Sequence, residues 1–148
     1  MVNTLQASRY DFSAIEVQRQ VLYSLVDQVY HGMEPLKEST TDSFLRLQEK
    51  HTNVRGEAGT HYQTKFTHLI GYAAGYYSYL WSRVYSTNLW DKLFESDPLS
   101  REAGELLRHR LLAHGGAKDP AEMLEEMLGP GYDAVDPLMK RFENSKLN

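Results

Sequence analysis

Three Asp-Pro pairs, Asp97-Pro98, Asp119-Pro120 and Asp136-Pro137, limit how this chain can fold more than any other feature. Each sets a carboxylate able to accept the orphan N–H groups of a first helical turn before a proline, whose missing N–H costs nothing there. The spacing predicts a helix after each pair. Leu99, Leu106, Leu107 and Leu111 give the first an apolar side ending at Gly115-Gly116, and Met123, Leu124, Met127 and Leu128 do the same for the second before Gly129. The third is short.

The preceding residues read the same way. Ser13 and Glu16 have the spacing of a capping box, and Ile15, Leu22, Leu25, Val26 and Val29 follow at helical intervals. A helix over roughly 14–31 is predicted, closed by Gly32 as a left-handed cap, with Pro35 beyond it. A shorter helix starts near Thr41 or Asp42 and carries Phe44, Leu45 and Leu47; Thr52 to Thr60 is a polar, glycine-bearing loop. From Tyr76 to Phe94 there is neither Gly nor Pro, and Tyr77, Leu80, Trp81, Val84, Tyr85 and Leu89 share one helical stripe. No alternation of period two is sustained, so the chain reads as all-α with about six helices.

At 148 residues the chain can bury about 68–70% of its unfolded surface, so one compact domain is the expectation. A net charge of −4 without a Lys/Arg run offers phosphates no basic field, which argues against nucleic acid as partner. The absence of cysteine removes thiolate metal sites and thiol nucleophiles from this segment. No apolar run reaches the ~20 residues a membrane span needs. Met1 to Tyr10 has the pattern of neither a signal nor a transit peptide, so any address is expected outside this chain.

Ten of the seventeen aromatic residues fall between Tyr62 and Phe94, making that stretch either the main core element or a binding wall. Within it, Gly71 and Gly75 interrupt one long helix and leave a loop that can bend. If the turn at Tyr72 is helical, Tyr72, Tyr76 and Tyr79 follow i, i+4, i+7 and line up three hydroxyls. A phenol stays protonated at neutral pH and can donate to a developing oxyanion, while His68 can donate or accept. The competing reading is that these rings pack a core and His68 is a satisfied structural histidine.

The run from Phe66 to Ser82 resembles the Gly/Tyr-rich segment of the thimet oligopeptidase family of zinc metallopeptidases. The resemblance extends back to Gln20-Val21-Leu22-Tyr23 and Asp27 to Gly32, and forward to Arg108 to Gly116. Ser39-Thr40-Thr41-Asp42, Gln48-Glu49-Lys50, Ser78 and Ala113-His114-Gly115-Gly116 look more like its mitochondrial intermediate peptidase branch. This resemblance implies that the chain is a single segment, 1–148, from the C-terminal part of a larger helical catalytic domain. It implies that Tyr76 and Tyr79 stabilise the tetrahedral transition state, and that His68, Gly71, Tyr72 and Gly75 hold the substrate backbone on a mobile loop. That loop is one residue shorter than in the thimet branch, with Ala73 in place of an acidic residue, so a different peptide preference is expected. The implied setting is the mitochondrial matrix, and the implied substrates are peptides or precursor proteins.

The family's zinc site needs two histidines one turn apart with a glutamate after the first, plus a third ligand. His31, His51, His61, His68, His109 and His114 contain no such pair. Zinc is therefore expected in the parent enzyme, on residues upstream of Met1 in the remainder of the catalytic domain. This segment is expected to bind none and to be inactive alone. Ser78 and Ser82 lack a nucleophile-elbow context, and Glu102, Glu105, Glu122, Glu125 and Glu126 read as solvated helix faces. The alternatives are a non-catalytic helical peptide-binding module, an inactive truncated product, and a helical interaction protein whose resemblance is only ancestral.

Overall fold

The computed structural model describes Ser8 and residues 12–144. The reading of Met1 to Tyr10 as free of targeting signals falls on residues outside these, apart from Ser8. Among the described residues there is no strand, and the α-helices are α1 Ser13–Tyr30, α2 Thr40–His51, α3 His68–Gly71, α4 Ser78–Leu89, α5 Arg101–Arg110, α6 Pro120–Leu128 and α7 Asp136–Asn144. Seven stand where about six were expected, because the short turn at His68 forms a helix of its own. No helix among them is long and apolar enough to cross a membrane. The chain gathers into two compact units, one ending at Trp81 and one starting at Ser82, where length alone pointed to one.

In the first unit α1 and α2 pack through Leu22, Val26, Phe44 and Leu47, joined by Leu69. Leu22 and Val26 stand one turn apart on the face of α1 that meets α2, and Ser24 and Asp27, on other sides of the helix, are buried as well. Ser39 caps α2, accepting from Asp42 N at 3.0 Å. Two expectations about α1 are corrected. Ser13 is the first helical residue, and the N-cap is Phe12, so no capping box forms; Glu16 instead pairs with Arg19 and Gln20 along the exposed surface. Gly32 is not left-handed: His31 ends the helix, and a Cβ at Gly32 would lie 3.2 Å from the Gln28 carbonyl, so close approach is what favours glycine there.

In the second unit Leu89, Leu124, Met127 and Leu128 form the core, with Leu106, Leu107 and Leu111 packed against them. Asp119 caps α6 as its sequence predicts, accepting from Ala121 N at 2.7 Å, with Pro120 in the first turn and Gly129 at φ 86° closing the helix. Asp97-Pro98 does not open a helix. Asp97 accepts from Leu99 N in a turn, Ser100 is the cap of α5, and Leu99 is fully solvated instead of packed. The physical reason is that an Asp-Pro turn and an Asp-Pro helix start use the same local hydrogen bonds. At the third pair the cap moves upstream: Asp133 accepts from Val135 N and Asp136 N, both at 3.0 Å, and Asp136 is the first residue of α7. The stretch after α4 widens into a π-helical turn, Trp90–Phe94, closed by Glu95 N donating to the Trp90 carbonyl at 2.9 Å. The expected stripe on α4 is only partly buried: Val84 and Leu89 are inside, but Tyr77 and Trp81 are exposed.

Candidate functional site

The Gly/Tyr-rich stretch lies in the first unit, where α3 stops at Gly71 and α4 starts at Ser78. The loop between them does bend, but its left-handed residues are Ala73 (φ 42°) and Ala74 (φ 73°), not the flanking glycines. For an L-residue with a Cβ this conformation costs roughly 1–2 kcal/mol each. Gly75 is required for close approach: a Cβ there would sit 2.9 Å from the Tyr72 carbonyl, which accepts from Gly75 N at 3.0 Å. At Gly71 a Cβ would meet nothing within 4 Å, so the fold makes no steric demand for glycine there.

What holds the loop in this form is α1. Asp27, 0% exposed, accepts from Tyr76 N at 2.9 Å through Oδ2 and from Ala74 N at 3.3 Å through Oδ1. His31 Nδ1 lies 3.1 Å from the same Oδ1. Gln28 Nε2 donates to the Ala74 carbonyl at 2.7 Å. A buried carboxylate is tolerable only when donors reach it, and here two backbone N–H groups do, while His31 Nδ1 lies between Oδ1 and the Asp27 backbone carbonyl 2.9 Å away. Two turns earlier on α1, Gln20 Oε1 accepts from the Tyr76 hydroxyl at 3.0 Å.

The four residues singled out by side-chain chemistry do come together. His68 stacks on Tyr72 with ring centroids 5.6 Å apart and planes 7° from parallel, and meets Tyr76 and Tyr79 edge-on. Tyr79 donates its hydroxyl proton to the Tyr72 oxygen at 2.8 Å. Those two phenols are 40% and 47% exposed, whereas Tyr76 is 5% exposed. The expected row of three hydroxyls is thus a surface pair plus one turned inward to Gln20. The break at Ala73-Ala74 is the reason, since it rotates Tyr76 relative to a continuous helix. The rings divide between core and surface: Tyr76 is core, and Tyr72 and Tyr79 are accessible. Behind them Tyr23 packs on Phe66 at a ring distance of 4.5 Å and donates to the Tyr62 hydroxyl at 3.0 Å.

Electrostatics keep these phenols as proton donors. Burial raises the Tyr76 phenol, and the hydrogen bond to Tyr72 raises that of Tyr79, so both remain protonated beyond the usual tyrosine range. Burial, followed by the bond to Tyr62, raises Tyr23 as well. Among the described residues no three His, Cys, Asp or Glu side chains are grouped to hold a metal ion. Two phenols and one imidazole do not fit the zinc that the family resemblance implies.

Sequence reasoning gave no role to Asp27, Gln28 and Gln20. All three lie in the stretches that carry the family resemblance, and that was their only signal. Their spacing puts them on one helical face, but their partners are 46 to 56 residues further along the chain.

The profile of Peptidase family M3 matches residues 1–142, and the chain belongs to that family. Among its relatives, it is 43% identical over 130 residues to the mitochondrial intermediate peptidase of Arabidopsis thaliana, covering 87% of this chain and 18% of the relative. It is 45% identical to the mitochondrial intermediate peptidase of Mus musculus and 44% to that of Homo sapiens, each over 128 residues, 86% of this chain and 18% of the relative. The chain therefore spans under a fifth of the length of these relatives.

Proposed function

We propose that this chain forms the substrate-facing wall of a zinc metalloendopeptidase that processes peptides or precursor proteins in the mitochondrial matrix. The metal and its ligands belong to the remainder of the catalytic domain, which is the chain's first partner. The observation that carries this reading is the exposed Tyr79–Tyr72 hydroxyl pair backed by His68. Neutral O–H donors on a fixed scaffold suit a charge that appears only in the transition state, because they need no reorganisation when it forms. Tyr79 and Tyr72 present that donor to the tetrahedral oxyanion, and His68 orients the substrate backbone beside them. Tyr76 supports Tyr79 from below at a ring distance of 5.0 Å and acts on substrate only by releasing Gln20. Gly71, Tyr72 and Gly75 belong to the loop that borders the bound peptide.

The test is a chimera in which this chain replaces the matching segment of the mouse relative, assayed on a fluorogenic peptide. Loss of one oxyanion donor in Tyr79→Phe is expected to lower kcat by about 10²–10³-fold with KM little changed. Tyr76→Phe should cost less than Tyr79→Phe. An unchanged kcat in Tyr79→Phe would remove the catalytic reading. Peptide binding by the chain in chelator, lost in Tyr79→Phe while the chimera never cleaves, would leave a non-catalytic binding module.

A further inference from the structure

We infer that Asp27 is a positioning residue: its buried carboxylate clamps the Tyr72–Tyr76 loop in an otherwise unfavourable backbone form, and so pairs the Tyr72 and Tyr79 hydroxyls. Its catalytic meaning rests on the reading of those hydroxyls as substrate-facing; the clamp itself does not.

The geometry is that of a carboxylate used as a two-pronged backbone acceptor. Oδ2 takes Tyr76 N and Oδ1 takes Ala74 N, so the carboxylate spans the loop's exit, while Gln28 on the same turn of α1 holds the Ala74 carbonyl. Ala74 is thereby gripped at both its N–H and its C=O. Two successive alanines with positive φ do not persist without such grips, since neither has glycine's freedom. His31, where the helix ends, brings Nδ1 to 2.9 Å from the Asp27 backbone carbonyl and 3.1 Å from Oδ1. Gln20, further back on α1, fixes the hydroxyl of Tyr76, the residue that follows the loop. Tyr76 in turn carries Tyr79 against Tyr72. The clamp thus passes from Asp27 through the loop backbone to the phenol pair, without Asp27 touching either phenol.

A structural carboxylate of the core and a loop clamp predict different behaviour on substitution. Asparagine keeps the size of Asp27 but offers one acceptor oxygen and turns an N–H₂ toward a loop N–H. In the full chain, Asp27→Asn is expected to speed amide hydrogen exchange at Ala74 and Tyr76 by about tenfold or more while Leu22 and Val26 keep their protection. Unchanged exchange at Ala74 and Tyr76 would overturn the inference. If Asp27→Asn unfolds the whole first unit, the second variant decides. Asp27→Asn with Ala74→Gly relieves the loop's left-handed cost, and the clamp predicts that folding returns. Failure of that loop substitution to restore any protection would show Asp27 serving the core alone, and would overturn the clamp.

The kinetic readout uses the same chimera. Asp27→Asn should lower kcat about tenfold, with KM within about twofold, by loosening a contact made only in the transition state. Normal kcat despite fast loop exchange would overturn the positioning role. If Tyr79→Phe itself leaves kcat intact, the proposed function fails, and the exchange results still decide whether Asp27 clamps the loop.

Discussion

Ala74, at φ 73°, and Gly75, which has no room for a Cβ, make neighbouring positions respond in opposite ways to the same pair of residues. Ala74→Gly removes a left-handed cost of about 1–2 kcal/mol and adds an unfolded-state entropy cost of about 0.4–1 kcal/mol. A net gain of about 0.5 kcal/mol is expected, read as a higher urea midpoint. Gly75→Ala drives a methyl group onto the Tyr72 carbonyl and should lower that midpoint. The phenols make a second prediction, about alkali. Burial, then the nearby Glu38, pushes Tyr30 up to about 12, and burial also raises Tyr23 and Tyr76. A group whose folded pKa lies above its unfolded value stabilises the fold fully below the unfolded value, near 10 for tyrosine. That contribution is lost as pH rises from about 10 toward 12, so denaturation midpoints should hold to about pH 10 and then fall. A flat profile across that window would contradict the burial of these rings.

At the level of elements, the two similar Asp-Pro signals predict unequal losses. Asp119→Ala removes the cap of α6, with its bonds to Ala121 N and Glu122 N, and should cost about 1 kcal/mol. Asp97→Ala removes one turn contact to Leu99 N and should cost clearly less; equal costs would mean that both residues cap helices. This contrast also marks what was legible in the sequence. Capping at Asp119 could be read because cap, proline and apolar face lie within one short stretch. Asp97 misled because its first hydrogen bond is the same in a turn, and the choice is made by Ser100 three residues later. In the site, spacing grouped Tyr72, Tyr76 and Tyr79, and the family resemblance joined His68 to them. Spacing did not reveal that Tyr76 turns inward, because that depends on Gln20, 56 residues earlier in the chain. The clamp at Asp27 stayed hidden for the same reason, with its loop partners 47 and 49 residues away.

For the molecule as a whole, solvated apolar side chains are the notable property. Ile70, Leu99 and Leu112 are largely exposed, and Trp90 and Met139 are about half so. Where such residues join into a contiguous patch, they mark interaction sites. At tens of micromolar the chain on its own is expected to self-associate, giving a concentration-dependent sedimentation coefficient; a sharp monomer boundary at every concentration would argue that these residues need no cover. The residues matched make up only 18% of the length of relatives in the same peptidase family.

The phenol pair works as a unit. One of its two hydroxyl hydrogens is spent on the bond between Tyr79 and Tyr72, which leaves the pair one hydrogen beyond that bond, and accepting a bond polarises the oxygen that offers the next. The two rings therefore behave as one donor strengthened by its neighbour, not as two parallel donors. In a double-mutant cycle Tyr72→Phe and Tyr79→Phe should not add: removing either phenol breaks the pair and leaves little for the second substitution to take away.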